Sequence, residues 1–327
     1  MAITMSTDIL IVGAGPVGLY GAYCAGFRGL RTVLVDALPE CGGQITALYP
    51  EKQIRDIAAV PGSRGREVVN ALKAQADSFD TEYVLGREAV GLSFASDGRP
   101  QVTLSDDTVI DAGAVVVTAG IGTFTPRTLP AGEEFLDRGL SYFVPALDDY
   151  ADNDVLVVGG GDSAVDWTLA LAPIARSVTL VHRRGQFRAH AASVREMYDC
   201  GAQIITDAQV VALLGDERVR EAHVRVDGEE QPRVHKVDAV VAALGFLSNL
   251  GPLAEWGMQL DRRTITVDTR MRTTLDRVYA AGDVTSYPGK VKLMSVGFGE
   301  VATAVNNAAV VLDPDLPLFP GHSTDHA

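Results

Sequence analysis

Apolar residues in this chain gather into short, nearly unbroken runs at 9–12, 32–35, 114–120, 155–158, 177–181 and 239–244. Runs this short and this apolar predict strands buried on both faces, as in a parallel sheet. Between the first two runs, residues 16–28 are small and apolar and predict a closely packed helix. Residues 66–80 place Val68, Val69, Leu72, Ala76 and Phe79 at helical spacing and predict an amphipathic helix. Residues 83–85, 89–94 and 101–104 read as a β-ribbon, with a turn at Ser96-Asp97-Gly98-Arg99-Pro100. Further on, 277–283 reads as a strand ending in Gly282-Asp283, 299–311 as a final helix, and 314–327 as a polar, proline-rich tail. Strands alternating with helices put the chain in the α/β class.

Two of the runs lead into glycine-rich loops. The first is Gly13-Ala14-Gly15-Pro16-Val17-Gly18, and the second Gly159-Gly160-Gly161-Asp162-Ser163-Ala164. Gly13 allows a tight turn, Gly15 a close backbone approach to a pyrophosphate, and Gly18 close packing of helix on sheet. Pro16 suits the first helical position, and the helix N-terminus offers free N–H groups to phosphate. Asp36 ends the second strand, about 20 residues on, where an acid meets a ribose 2′-hydroxyl. The second unit repeats the pattern with Gly159, Gly161 and Ala164, with Asp162 and Ser163 opening its helix. Its second strand ends not in an acid but in His182-Arg183-Arg184, with Arg188 close behind. Guanidinium groups form bidentate, charge-assisted bonds to a 2′-phosphate, so this site is expected to prefer NADP(H) to NAD(H).

The repeat of strand, glycine loop, helix, strand, ribbon and apolar strand predicts two Rossmann-like, three-layer dinucleotide-binding domains. The second is inserted in the first: 1–120 and 246–327 form one domain, 121–245 the other. Residues 123–130 read as the connection.

At 327 residues, 47% of them hydrophobic and 21% charged, the chain is ordinary for two globular domains. Its net charge of -14 argues against nucleic acid or an anionic membrane as partner. No unbroken apolar run reaches the roughly 18 residues of a membrane span, and the N-terminus lacks a signal pattern, so a cytoplasmic location is expected. The three cysteines, Cys24, Cys41 and Cys200, match no redox pair or metal site, and no metal is expected.

With these residues, the chain resembles the two-domain FAD/NAD(P)H disulfide reductase superfamily over nearly its whole length. The low-molecular-weight thioredoxin reductases fit best. Those enzymes carry Cys-x-x-Cys just before the second fingerprint, where this chain has Tyr142-Phe143-Val144-Pro145. Without a dithiol, electrons have no relay from flavin to a protein disulfide. One branch of the fold lacks the cysteines, the thioredoxin-reductase-like ferredoxin–NADP⁺ reductases. Similarity to it extends through Gly42-Gly43-Gln44 to Lys52, through Gly282-Asp283 to Glu300, and into Pro320-Gly321-His322-Ser323-Thr324.

The resemblance implies FAD in the first domain and NADP(H) in the second. It implies that Gly13, Gly15, Pro16 and Gly18 meet the FAD pyrophosphate and that Asp36 takes the adenosine ribose. Gly43 and Gln44 lie near the flavin, Ala89 and Val90 touch the adenine through backbone, Phe124 packs near the cofactor, and Asp283 bonds the ribityl chain. Tyr49 stacks on one flavin face, and His322, with Thr324 beside it, covers the other across a homodimer. These two stand closest to the chemistry, and no acid, base or nucleophile is implied.

The implied reaction is hydride transfer from NADPH to flavin N5, then two one-electron transfers to ferredoxin or flavodoxin. Rival readings are an FAD-dependent reductase of a quinone, a small disulfide or oxygen, and a non-catalytic sensor of the two nucleotides. An acidic partner would need a local basic patch on this acidic chain. Arg55, Arg64, Arg66, Arg183, Arg184, Lys290 and Lys292 are its candidates.

Overall fold

The structure, a computed structural model, describes residues 4–322. The chain forms two compact units. The first comprises residues up to Ala47, Gln53–Thr123 and the chain from Ser248 on; the second comprises Leu48–Lys52 and Phe124–Leu247.

In the first unit, strand Thr4–Val12 lies between Thr32–Asp36 and Val109–Val117, parallel to both. Ile9, Leu10, Ile11 and Ala114 to Val117 are fully buried. Each large side chain so buried is worth about 1.5–3 kcal/mol, which fixes the apolar runs at the centre of the sheet. Thr81–Leu85 extends the sheet beside Thr32–Asp36 in parallel. The sequence reading placed 83–85 in the ribbon; pairing with Thr32–Asp36 instead gives those backbone groups a partner strand. The antiparallel ribbon proper is Ala89–Phe94, Pro100–Leu104 and the first half of Val109–Val117. Val278–Ala280 pairs with the second half of that long strand, in parallel.

The fingerprint helix Pro16–Phe27 packs on the last helix, Met294–Leu312, at a distance only glycine allows. A Cβ on Gly21 would stand 2.7 Å from Val301. That last helix begins five residues before the expected 299, because its first turn packs too: Gly297 is buried against Val17. By length and composition alone this helix could cross a membrane, but one face of it, including Glu300, is buried within the first unit.

The second unit centres on a parallel five-stranded sheet, in the order Leu140–Ser141, Ala239–Ala243, Asp154–Gly159, Ser177–Val181 and Gln203–Ile205. An antiparallel sheet of Ala208–Gly215, Val219–Val226 and Arg233–Lys236 follows. Tyr142 packs in one core of this unit and Val144 in another. The segment read as a loop at 123–130 begins as strand Thr123–Pro126, which pairs with Phe246–Asn249.

The units divide the chain a little differently from the expected bounds: residues 121–123 group with the first unit and 246–247 with the second. Residues 48–52, read from the sequence as part of the first domain, also group with the second unit. Tyr49 packs against the second unit's core, and Lys52 Nζ lies 2.5 Å from Asp166 Oδ2. Burial of an aromatic ring and a half-buried ion pair outweigh the chain's continuity with Gln44–Leu48.

Candidate functional site

Both glycine loops contain positions where the backbone leaves no room for a side chain. In the first unit Gly13 has φ +119°, and a Cβ there would lie 2.6 Å from Thr118 O. A Cβ on Gly18 would lie 1.8 Å from Gly13 O. Thr118 Oγ1 donates to that same Gly13 carbonyl at 2.8 Å and locks the turn to the central strand. Gly15 is different: nothing stands within 4 Å of where its Cβ would be. Its helix starts with Pro16 and has no side-chain cap and no acid in its first turn. Uncapped first-turn N–H groups beside open space suit an anion. Gly43 (φ +56°) packs on this loop, 3.1 Å from Gly15 Cα to a notional Cβ, and Gly42 N–H donates to Ala14 O at 2.8 Å. Gln44 opens the short helix Gln44–Leu48, its Nε2 close to Gly120.

Asp36 is mostly enclosed. Burial pushes its carboxyl up, while hydrogen bonds from Leu38 N–H and Ala14 N–H act the other way. Oδ2 accepts from Ala14 N–H at 2.6 Å and Oδ1 from Leu38 N–H at 2.8 Å. Each oxygen keeps a lone pair for a hydroxyl donor. At the ribbon's start the ladder passes from Ala89 to Gly91 and skips Val90, a bulge that turns backbone away from its partner strand. Ala89 is buried and Val90 exposed.

Asp283 follows Gly282 (φ +85°) in a turn closed by Thr285, whose Oγ1 donates to Gly282 O at 2.8 Å. Burial pushes its carboxyl up; Lys290 and then Lys292 pull it down. Lys290, a candidate for a partner-facing patch, is withdrawn from it. Its side chain is 8% exposed and its Nζ lies 2.5 Å from Glu300 Oε1. Lys292, Arg55, Arg64 and Arg66 are exposed. Phe124 lies in the strand Thr123–Pro126. His322 meets Phe319 edge-on at 5.1 Å, and Thr324 lies outside the described residues.

In the second unit a Cβ on Gly159 would lie 2.4 Å from Ala243 O, and Ala164 is buried against it. Gly161 precedes the helix Asp162–Leu171, which again has no side-chain cap. The strand register settles which residue corresponds to Asp36. Val12 faces Val35 in the first unit, and Val158 faces Val181 in the second. The next residue is Asp36 in one case and His182 in the other. Where the Asp36 carboxylate bonds Ala14, the His182 ring lies over Gly160, which follows Gly159 as Ala14 follows Gly13. A Cβ on Gly160 would stand 2.0 Å from that ring. His182 is buried, stacks on Phe187 at 5.0 Å, and pairs its Nε2 with Gln186 O at 3.1 Å.

So the His182 ring, expected from sequence at the nucleotide, packs against Gly160 and Phe187, next to the loop after the strand. Two more bonds fasten that loop. Arg188 N–H donates to Gly160 O at 2.7 Å, and His190 N–H donates to Asp162 Oδ1 at 2.9 Å. Arg183, Arg184 and Arg188 stay exposed, with no side-chain bond to other described residues. Ser163 is exposed at the helix start.

The remaining chemistry is sparse. Burial pushes the Cys24 thiol up to about 12 and also raises Cys41, so neither is a thiolate near neutrality. All three cysteines are free. Tyr142, in the place of the first cysteine of a dithiol, is buried, and its hydroxyl accepts from Leu129 N–H at 3.2 Å. Among the described residues no group of His, Cys, Asp or Glu could hold a metal. The sequence assigns no role to Thr118, Tyr287 or Glu300; the signal it offered is that Glu300 is the one charged residue in 299–311.

The family profile described as pyridine nucleotide-disulphide oxidoreductase matches residues 7–308. The chain is 54% identical over 324 residues to a ferredoxin–NADP reductase from a Nocardioides species, covering 98% of each. It is 56% identical over 316 residues to one from Frankia alni, covering 97% of this chain and 98% of that one. A thioredoxin reductase structure from T. acidophilum superimposes with TM-score 0.79 at 24% identity, over 93% of this chain and 98% of that one, a likeness of fold. With a profile match over most of its length and relatives this similar end to end, the chain belongs to the pyridine nucleotide-disulphide oxidoreductase family.

Proposed function

We infer that this protein transfers electrons between NADPH and ferredoxin through FAD, with FAD in the first unit and NADP(H) in the second. The observation that carries this reading is the opposite chemistry at two matching strand ends. One is a partly buried carboxylate, Asp36, tied to its own glycine loop; the other is an imidazole, His182, packed over its loop and followed by arginines whose side chains bond no other described residue. Relatives named ferredoxin–NADP reductase, similar over nearly the whole chain, supply the acceptor.

The residues present fit both dinucleotides. Uncapped helix starts after Gly15 and Gly161 suit two pyrophosphates. The free lone pairs of Asp36 suit the hydroxyls of an adenosine ribose, and the bulge at Val90 beside Ala89 suits an adenine edge. Gly43 and Gln44 line the same loop, and Asp283 would accept from the ribityl chain. Phe124, Tyr49, His322 and Thr324 are assigned to the flavin by resemblance. Arg183, Arg184 and Arg188 would clamp the 2′-phosphate, while Asp162 and His182 hold their loop in place. When bound, FAD exchanges two electrons with NADPH and passes them singly to an iron–sulfur partner. The protein's part is to bind, orient and exclude side reactions; Tyr142 and Pro145, where the two cysteines of a dithiol would stand, leave it no relay through sulfur. The reading includes a homodimer in the cytoplasm, with flavodoxin as an alternative carrier.

The test is an anaerobic titration of the holoprotein with NADPH and with NADH, followed by ferredoxin. Bleaching of the flavin by NADPH at far lower concentration than by NADH, and its return on adding ferredoxin, is the expected result. No bleaching would leave a sensor. Recovery with a quinone, a small disulfide or oxygen but not ferredoxin would give another acceptor. Ferredoxin reduction is also expected to slow as salt rises, because an acidic chain must hold an acidic partner through local cations such as Arg55 and Lys292. A rate that does not move between low and high salt would remove that patch.

The tail has its own test. A chain ending before Pro320 is expected to lose flavin more readily or to oxidise NADPH at a changed rate. If neither moves, His322 has no role at the flavin.

A further inference from the structure

Glu300 sits in the middle of the last helix, Met294–Leu312, on a face otherwise made of valine, alanine and glycine, and is 5% exposed. Its two oxygens take three donors. Oε2 accepts from Gly282 N–H at 2.7 Å. Oε1 accepts from Tyr287 Oη at 2.5 Å and from Lys290 Nζ at 2.5 Å. Lys290 is equally enclosed, and its ammonium lies 5.6 Å from the Tyr287 ring centroid.

A buried ion pair of this kind does not by itself stabilise a fold, because desolvation offsets the attraction. What this one does is fix the backbone at Gly282. That residue is gripped on three sides. Glu300 holds its N–H, Thr285 holds its carbonyl through both Oγ1 and N–H, and Val17 lies 3.2 Å from a notional Cβ. Gly297, one turn before Glu300, lets the helix come close enough, since its own notional Cβ would stand 3.3 Å from Gly282 Cα. Val17 belongs to the first turn of the fingerprint helix. The cluster thus ties the turn that presents Asp283 to the start of the pyrophosphate-binding helix.

We propose that Lys290, Tyr287 and Glu300 are positioning residues for the FAD site, fixing the Gly282–Asp283 turn and setting the charge behind it. This rests on the reading of Asp283 as a ligand of FAD. Geometry carries the mechanical part; the electrical part follows because Lys290 and Glu300 act on Asp283 with opposite sign. Burial and the bond to Glu300 push the Tyr287 hydroxyl up to about 12, so it remains a donor across the working pH range.

The experiment uses the full-length holoprotein and two readouts: release of FAD on dilution, followed by its fluorescence, and the flavin midpoint potential. Glu300→Gln and Lys290→Met are each expected to weaken FAD binding by about 10-fold or more, since each removes a charge-assisted bond and strands its partner. The double variant is expected to bind FAD better than either single one, because no buried charge is left unpaired. Tyr287→Phe, which keeps the ion pair, covers the case in which a charged variant does not fold; about a 5-fold weakening is expected there. The potentials separate positioning with charge from mere damage. Lys290→Met should make the flavin harder to reduce and Glu300→Gln easier, and Lys290→Arg should restore the parent value. Shifts of the same sign in both variants, or FAD release within twofold of the parent in all three single variants, would overturn the proposal. If Asp283→Asn leaves FAD release unchanged while the cluster variants weaken it, the reading of Asp283 fails and the cluster's hold on the site stands.

Discussion

Replacing Arg183 and Arg184 together by alanine is expected to lower kcat/KM for NADPH by about 100-fold and to leave that for NADH within about twofold. The two side chains are exposed and make no bond to other described residues, so removing them costs the fold nothing visible. Each would give a charge-assisted bond to a 2′-phosphate, worth about 10-fold or more in affinity when formed. The exposed position lowers that figure through solvent screening, which is why the combined effect is set near 100-fold rather than higher. NADH has no 2′-phosphate and gains nothing from either arginine. The loss should therefore appear mainly in KM for NADPH, with kcat little changed, since phosphate binding acts equally on ground state and transition state. Steady-state kinetics with both nucleotides and a common one-electron acceptor check this. Equal losses with NADPH and NADH would show that the arginines support the loop rather than read the phosphate.

Gly160→Ala is expected to destabilise the second unit by about 3 kcal/mol, the upper end for overpacking, and to weaken NADPH binding severely. Gly160 has no left-handed φ, so its backbone is one that alanine adopts readily. The cost comes from the His182 ring, which occupies the place of the new methyl at 2.0 Å. That ring cannot swing clear easily, being stacked on Phe187 and paired with Gln186 O. Pushing it out also strains the bond from Arg188 N–H to Gly160 O, and with it the loop that carries all three arginines. The partner experiment is the double variant Gly160→Ala/His182→Ala. Its stability loss should fall short of the sum of the single losses by about 2 kcal/mol, because the clash exists only when methyl and ring are both present. Thermal unfolding followed by near-UV circular dichroism, with NADPH binding beside it, measures both. Additive losses would mean that the ring does not seat the loop. FAD content should stay at the parent level in every one of these variants, as the changes lie in the second unit.

Much of this architecture was legible before any coordinates. The apolar runs at 9–12 and 155–158 read as buried parallel strands, and that is how they pair. The glycines after them mark turns whose backbone passes too close to its neighbours for a side chain at Gly13, Gly18 and Gly159. Where the reading slipped, it did so over partners that lie far away in sequence. Residues 83–85 look like the start of a ribbon by composition, but their partner strand is Thr32–Asp36, and pairing choice is not written in either segment alone. Residues 48–52 follow directly from a helix of the first unit, and only packing reveals that Tyr49 and Lys52 find their partners in the second. Lys290 reads as a surface lysine because its counter-charge is a turn of chain and several helical residues away.

The sequence by itself determined the two units with their glycine loops, the arginines that follow the second unit's second strand, and the absence of a dithiol. These depend on local residue type and spacing, which the chain carries in order. Tertiary structure decided that His182, not an arginine, stands where Asp36 stands, because only strand register aligns the two loops. It also decided that Glu300 and Lys290 belong to the Gly282 turn. An isolated acid or lysine is costly to bury, and only a fold that brings its partners within hydrogen-bond reach makes that burial possible.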